Sequence, residues 1–209
     1  PLPFYLLCGA SRESAMLVNS LLVVVANLYL FLLVRRLYSP SAGLAAVVYY
    51  QTMPLACGLS RSFMVEYGLA ALVLVFLYYL VASDGLTRRR ENLTMGVVLG
   101  LGLLLKVLFA AFVAGPLLLA LYRRRSWRPV PAIFLPALAI ASTWYAFHLK
   151  SLLAFAFESA YGGIAPDYGA GGLGAWLLLF VNQGTSFYYA AALLVLGSLA
   201  LILRRPAPP

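Results

Sequence analysis

Six long apolar stretches alternate with short polar segments along the 209-residue chain. Several of these stretches are close to or above the roughly 20 residues that an α-helix needs to cross a hydrocarbon layer of about 30 Å. None shows the alternation of apolar and polar positions that is typical of strands in a membrane barrel. The pattern predicts an all-α, polytopic bundle of transmembrane helices, with apolar stretches at residues 15–34, 42–59, 63–81, 94–122, 130–147 and 188–203.

Composition agrees with an integral membrane protein. Hydrophobic residues make up 64% of the chain and charged residues 10%, whereas soluble domains have about 45–50% and about 25%. The net charge of +9 lies in short clusters and not in a continuous basic stripe, so we expect no nucleic-acid partner. The expected location is the plasma membrane of a bacterium or archaeon, among membrane lipids, with residues 1–209 in a single multi-pass transmembrane domain.

Arginine clusters indicate how the chain is oriented in the membrane. Short cytoplasmic loops are enriched in Lys and Arg, and most of the 15 basic residues lie at 35–36, 88–90, 123–128 and 204–205. If all four clusters face the cytoplasm, the stretches 42–59 and 63–81 form one hairpin across the membrane. The stretches 130–147 and 188–203 form another hairpin, which makes residues 150–176 an extracytoplasmic loop.

The stretch 94–122 has a lysine, Lys106, near its middle. Arginine clusters precede and follow this stretch, so it must cross the membrane an even number of times if both clusters are cytoplasmic. One helix of its length would span about 44 Å, which suits two short or tilted helices of about 20 Å each better than a single crossing. We therefore predict a break near Lys106, which puts this lysine at the extracytoplasmic face and raises the number of membrane segments to about seven.

The first arm of this predicted pair contains three small residues, Gly96, Gly100 and Gly102. Small residues let the backbones of neighbouring helices approach closely. We interpret these glycines as a packing feature.

Charged residues of both signs collect on the predicted extracytoplasmic side. Arg61 precedes the stretch 63–81, and Glu66 lies in its first turns, near the positive end of the helix dipole. Because a charge inside an apolar segment is costly without a partner, Arg61, Glu66 and Lys106 are candidates for binding an anionic group such as a phosphate. In the simpler interpretation, the cations only reach the headgroups and Glu66 only complements the helix dipole.

The predicted extracytoplasmic loop 150–176 contains two further acids, Glu158 and Asp167. Both are candidates for acceptor contacts or for a base, although solvated loop acids are the simpler interpretation. Residues 169–174 match the spacing GxGxxG, but no strand precedes them, so we expect a flexible lid and not a dinucleotide site.

Four stretches together resemble the polyprenyl-phosphate-sugar-dependent glycosyltransferases of the GT-C type, the group that contains protein O-mannosyltransferases and the lipid A aminoarabinose transferase. PLPFYLL resembles the end of the family's first outer loop, and RRLYSPSAGLAA resembles its first cytoplasmic turn. LSRSFMVEYGLAALV resembles the start of a family helix at which an arginine is followed by an acidic residue. GLGLLLKVLFAAFVAGPLLL resembles a glycine-rich Leu-Thr-Lys helix pair, with Leu105 in place of the common threonine.

This resemblance implies a GT-C-like fold for the helical bundle. It also implies inverting transfer of a sugar from a polyprenyl-phosphate donor to a protein, lipid or glycan acceptor on the extracytoplasmic face. It implies that a carboxylate activates the acceptor and that cations stabilise the leaving phosphate. The family's principal catalytic acid lies directly upstream of the residues that match 1–7, so we expect a fragment that lacks this acid. On this interpretation the local catalytic candidate is Glu66, and the candidate contacts to substrate are Arg61, Lys106, Glu158 and Asp167.

Several alternatives stay open at this point. The need for a divalent metal is undecided. A secondary transporter or lipid flippase could use Glu66 and Lys106 in its pathway, because broken helices and intramembrane charges also characterise transporters. A non-catalytic membrane subunit is the third alternative.

Overall fold

A computed structural model describes residues 6, 9, 11–53 and 65–161. Within these residues the chain contains helices and connecting turns but no strand. The helices are α1 (Arg12–Leu37), α2 (Pro40–Thr52), α3 (Val65–Ala82), α4 (Arg89–Leu105), α5 (Phe109–Arg124) and α6 (Val130–Tyr161). The predicted all-α class is thus confirmed, while the predicted stretch 188–203 lies outside the described residues.

The chain divides into two compact units, which are described separately. The first comprises residues 1–52 and 56–148, and the second comprises residues 53–55 and 149–209. Helices α1 to α5 and the first part of α6 belong to the first unit.

Local polar groups determine where several helices begin and end. The side chain of Ser11 accepts a hydrogen bond of 3.1 Å from the Ser14 amide at the start of α1. Pro40 occupies the first position of α2, where its missing N–H has no cost. After α3 the chain reverses through Asp84, Gly85 and Leu86, all with positive φ, and the Ser83 hydroxyl accepts a bond of 3.1 Å from the Leu86 amide.

Contacts between helices show the direction in which each one runs. The ring of Tyr29 in α1 packs against Tyr78 and Tyr79 near the end of α3, with centroids 5.4 and 6.2 Å away, so the later parts of both helices lie together. Nη1 of Arg124, at the end of α5, donates a hydrogen bond of 2.6 Å to the carbonyl oxygen of Gly85, just before α4. Helices α4 and α5 are therefore antiparallel.

These directions divide the bundle into two ends. The basic end is defined by the end of α1 with Arg35 and Arg36, by the α3–α4 turn with residues 88–90, and by the α5–α6 connection with residues 123–128. The opposite end, here called the Lys106 end, holds the start of α3 and the α4–α5 turn. The described arginine clusters thus lie at one end, as the positive-inside pattern predicts.

Three of the described helical segments are long and apolar enough to cross a membrane: Glu13–Leu37, Val65–Ala82 and Val130–Ala154. Helices α4 and α5, with 17 and 16 residues, are each about 25 Å long. Helix α6 continues well past the predicted end at residue 147, so that residues 150–161 of the predicted extracytoplasmic loop are helical. The total of about seven membrane segments stays a prediction.

The core of the first unit is apolar and draws on α3, α4, α5 and α6. Phe76, Met95, Phe109 and Ile133 are fully buried, and the rings of Phe76 and Phe109 meet edge to face at 6.3 Å. Many large apolar side chains instead lie on the outside of the helices, as expected for a bundle surrounded by lipid.

Candidate functional site

The break between α4 and α5 falls at Lys106, as predicted. Lys106 has an extended backbone, with φ −163° and ψ 127°, and its amide donates a 2.9 Å hydrogen bond to the carbonyl oxygen of Gly102. Its own carbonyl oxygen accepts a 2.9 Å bond from the Phe109 amide, with which the next helix begins. The ring of Phe109 lies where a side chain at position 102 would be, so glycine is required for this tight reversal.

The structure brings into contact two residues that the sequence placed at the same membrane face. Nζ of Lys106 lies 3.3 Å from Oε1 of Glu66, which is in the first turn of α3. The amide groups at the start of α3 favour a carboxylate at this position. The side chains of Lys106 and Glu66 are 41% and 42% exposed, so an incoming group can reach both.

Packing, and not the ion pair itself, determines how close α3 and α4 are at this end. A Cβ at Gly68 would lie 2.9 Å from Cδ2 of Leu105, so the absent side chain at 68 makes room for the leucine next to Lys106. A half-exposed ion pair contributes only about 0.2–1 kcal/mol. Stability alone is therefore a weak reason for this pair.

Tyr145 in α6 supports the end of α4, a role that the sequence analysis did not identify. Its hydroxyl donates a hydrogen bond of 2.7 Å to the carbonyl oxygen of Leu103, which has no partner within the helix. The tyrosine lies beside Trp144, a pattern typical of residues at a membrane interface. Its contact with α4 depends on the tertiary packing, which this pattern does not reveal.

The glycines of α4 also place α6 against α4, and this confirms their interpretation as packing residues. A Cβ at Gly96 would lie against the carbonyl oxygen of Ile133, and one at Gly100 would lie 2.7 Å from Cβ of Ile140. Contacts at Gly96, Gly100 and Leu103 thus follow α4 towards the turn with Lys106.

The other predicted site residues are Arg61, Glu158 and Asp167. Glu158 lies on α6 in the second unit with an exposed side chain. Arg61 and Asp167 lie outside the described residues, as does the predicted glycine-rich lid. Among the described residues no three His, Cys, Asp or Glu side chains form a group that could hold a metal ion.

Comparison with known proteins adds to this picture. The family described as dolichyl-phosphate-mannose-protein mannosyltransferase matches residues 3–149, a range that includes Glu66, Lys106 and Tyr145. The comparisons with curated proteins and with solved structures gave no match. The family match covers well over half of the chain and confirms the resemblance noted in the sequence. The chain therefore belongs to this family of membrane mannosyltransferase-type glycosyltransferases.

Proposed function

We propose that this chain is part of an enzyme that transfers a sugar from a polyprenyl-phosphate donor to an acceptor at the Lys106 end of the bundle, with inversion at the sugar carbon. The family's description makes mannose the first sugar to test and a protein the first acceptor to test. The observation that carries the proposal is the contact between Lys106 and Glu66 at a helix break.

The positive-inside rule supports an extracytoplasmic location for this contact. The described arginine clusters lie at the basic end, and short loops rich in arginine stay in the cytoplasm. Lys106 and Glu66 are at the opposite end. This orientation needs both α4 and α5 to lie in the membrane, and we propose that these short helices cross it as a pair, within a total of about seven segments.

The surroundings of Lys106 suit a ligand that is both anionic and apolar. Val107, Leu108 and Phe112 next to it expose about half of their surface, with values of 49%, 51% and 51%. A polyprenyl phosphate combines a charged head with a long hydrocarbon chain. We propose that the ammonium group binds the phosphate while the prenyl chain lies along these apolar side chains.

Lys106 would act on the leaving group of the transfer. As the acceptor hydroxyl attacks the sugar carbon, the bond from that carbon to the phosphate oxygen breaks and negative charge grows on the phosphate. An ammonium group held in place stabilises this charge more in the transition state than in the ground state. A single displacement of this kind inverts the configuration at the sugar carbon.

Glu66 has two proposed roles in the same step. Oε1 holds Lys106 in position, and no hydrogen bond of Oε2 is seen among the described residues. Oε2 is therefore a candidate to accept the proton of the acceptor hydroxyl. Arg61, Glu158 and Asp167 stay proposed contacts to donor or acceptor on the basis of the sequence.

The test is sugar transfer by membranes that contain the full-length protein. We expect Lys106→Gln to lower the rate of transfer of labelled mannose from polyprenyl phosphate mannose by about 100-fold, as for the loss of one electrostatic contact to a transition state. Lys150→Gln, which removes an exposed lysine on α6, is the matched control and should keep the wild-type rate. Wild-type transfer by Lys106→Gln would remove Lys106 from the site.

The transporter or flippase alternative predicts a different activity for the full-length protein. In that case polyprenyl lipid would move across vesicles without covalent transfer of its sugar. The family match supports the transferase, and we find no observation in the described structure that favours the transporter.

A further inference from the structure

A second charged feature lies at the basic end, away from the contact between Lys106 and Glu66. A cavity of about 640 Å³ opens between α4, α6 and the end of α5, and we call it the basic cavity. Its polar wall is formed by Thr87, Arg89, Asn92, Arg124 and Arg128. The proposed transfer reaction uses none of these residues.

The charge of this wall is not balanced by acidic side chains. None of the described residues that line the basic cavity is acidic. The two ion pairs that the structure shows in its described part, Arg88–Glu91 and Lys106–Glu66, do not involve the three arginines of the wall. An anion in the cavity would therefore meet three positive charges without a competing carboxylate.

Two residues that line the basic cavity each have a buried polar atom without a hydrogen-bond partner. Nε of Arg124 is buried and unpaired, while Nη1 of the same guanidinium is held by the Gly85 carbonyl oxygen at 2.6 Å. Oδ1 of Asn92 is likewise unpaired, although this residue is only 3% exposed and its Nδ2 donates to the Leu86 carbonyl oxygen. Unpaired buried polar groups are rare in proteins and call for a compensating group. A negative charge beside Arg124 provides one for its guanidinium.

The opposite wall is apolar and continues along the helices. Leu93 on α4 and Leu135, Pro136 and Ala139 on α6 line this side, and Leu135 is 65% exposed on the outside of the bundle. The volume falls within the roughly 300–1,000 Å³ typical of sites for organic molecules and is large for a single inorganic anion. The cavity thus joins a cationic wall to a surface that lipid chains can cover.

We propose that the basic cavity binds the headgroup of an anionic phospholipid from the leaflet at this end of the bundle. The phosphate lies against Arg89, Arg124 and Arg128, and an acyl chain follows Leu93 and Leu135. Basic pockets between transmembrane helices are suited to this class of lipid. The proposal does not depend on the sugar-transfer reaction, because the two sites lie at opposite ends.

Lipid binding to the purified full-length protein tests this proposal. The probes are phosphatidylglycerol, zwitterionic phosphatidylcholine, free polyprenyl phosphate and inorganic phosphate, each added to protein in a neutral detergent and followed by native mass spectrometry. We expect phosphatidylglycerol to bind, and each arginine removed by Arg89→Gln or Arg128→Gln to weaken its binding about fivefold, at about 1 kcal/mol per cation. Both arginines have exposed side chains, so their replacement should leave the fold intact.

Arg90→Gln is the matched control, because Arg90 is the next residue on α4, is also exposed and does not line the basic cavity. It should bind phosphatidylglycerol like the wild type. Equal binding of phosphatidylcholine would overturn the proposal, as would an equal loss in Arg90→Gln. It would also be overturned if Arg89→Gln and Arg128→Gln weakened the binding of polyprenyl phosphate or inorganic phosphate more than that of phosphatidylglycerol.

Discussion

Replacement of Gly96 by alanine tests how α6 holds the helix that ends at Lys106. An added Cβ would lie against the carbonyl oxygen of Ile133 and 3.2 Å from that of Ala132. Both neighbours are backbone atoms, so no change of side-chain rotamer relieves the overlap. Helices α4 and α6 would have to move apart.

Two opposing effects determine how much Gly96→Ala changes the free energy of unfolding. Overpacking of a tight contact costs about 1–3 kcal/mol, whereas alanine gains at most about 1 kcal/mol over glycine in a helix. Gly115 in α5 separates these effects, because nothing lies within 4 Å of a Cβ there. Gly115→Ala keeps only the gain, which the following Pro116 reduces. We expect the two variants to differ by about 1–3 kcal/mol in the free energy of unfolding.

The assay is thermal unfolding of the full-length protein in a mild detergent. For a domain of this size, 1 kcal/mol corresponds to a change of about 2–4 °C in the unfolding midpoint. Gly96→Ala should thus unfold several degrees below Gly115→Ala. Equal midpoints would refute the close packing of α4 on α6, and with it the support that this packing gives to the Lys106 turn.

Two further predictions concern the same end of the bundle. Tyr145→Phe removes the hydrogen bond to the Leu103 carbonyl oxygen and should lower the free energy of unfolding by about 0.5–1.5 kcal/mol. The control Tyr122→Phe changes a side chain that is 74% exposed and should lower it little. Equal losses in the two variants would contradict the assigned contact. For orientation, a cysteine at position 106 in a protein without Cys8 and Cys57 should react with an impermeant maleimide on intact cells, and a cysteine at position 90 only after permeabilisation. Labelling of position 106 solely from the cytoplasm would contradict the helix pair.

Charge clusters and helix length were sufficient to predict the α4–α5 break. Two arginine clusters that share one side require an even number of crossings, and the structure places the break at Lys106, with Arg124 back beside Gly85. The glycines of α4 were likewise interpreted correctly as packing residues. Both features depend on the order of charged and small residues within one segment of the chain, and this order can be read from the sequence.

Lateral contacts were harder to predict. Glu66 and Lys106 were expected at the same membrane face, but their contact across 40 residues depends on which helices are neighbours. The positions of the arginine clusters do not determine which helices are neighbours. The hydrogen bond of Tyr145 and the grouping of arginines in the basic cavity were missed for the same reason. The continuation of α6 to Tyr161 was also missed, because charged residues at 150 and 158 interrupt the apolar pattern.

The central claim is that the cation at the helix break serves the donor phosphate and does not merely pair with Glu66. Two variants separate these roles, because Lys106→Gln and Glu66→Gln both break the ion pair but only Lys106→Gln removes the cation. The decisive measurement is the binding of free polyprenyl phosphate to each purified full-length variant. We predict that Glu66→Gln binds this lipid like the wild type, whereas Lys106→Gln binds it about tenfold more weakly, as for the loss of a hydrogen bond between charged groups. Equal losses of binding in the two variants would contradict the claim.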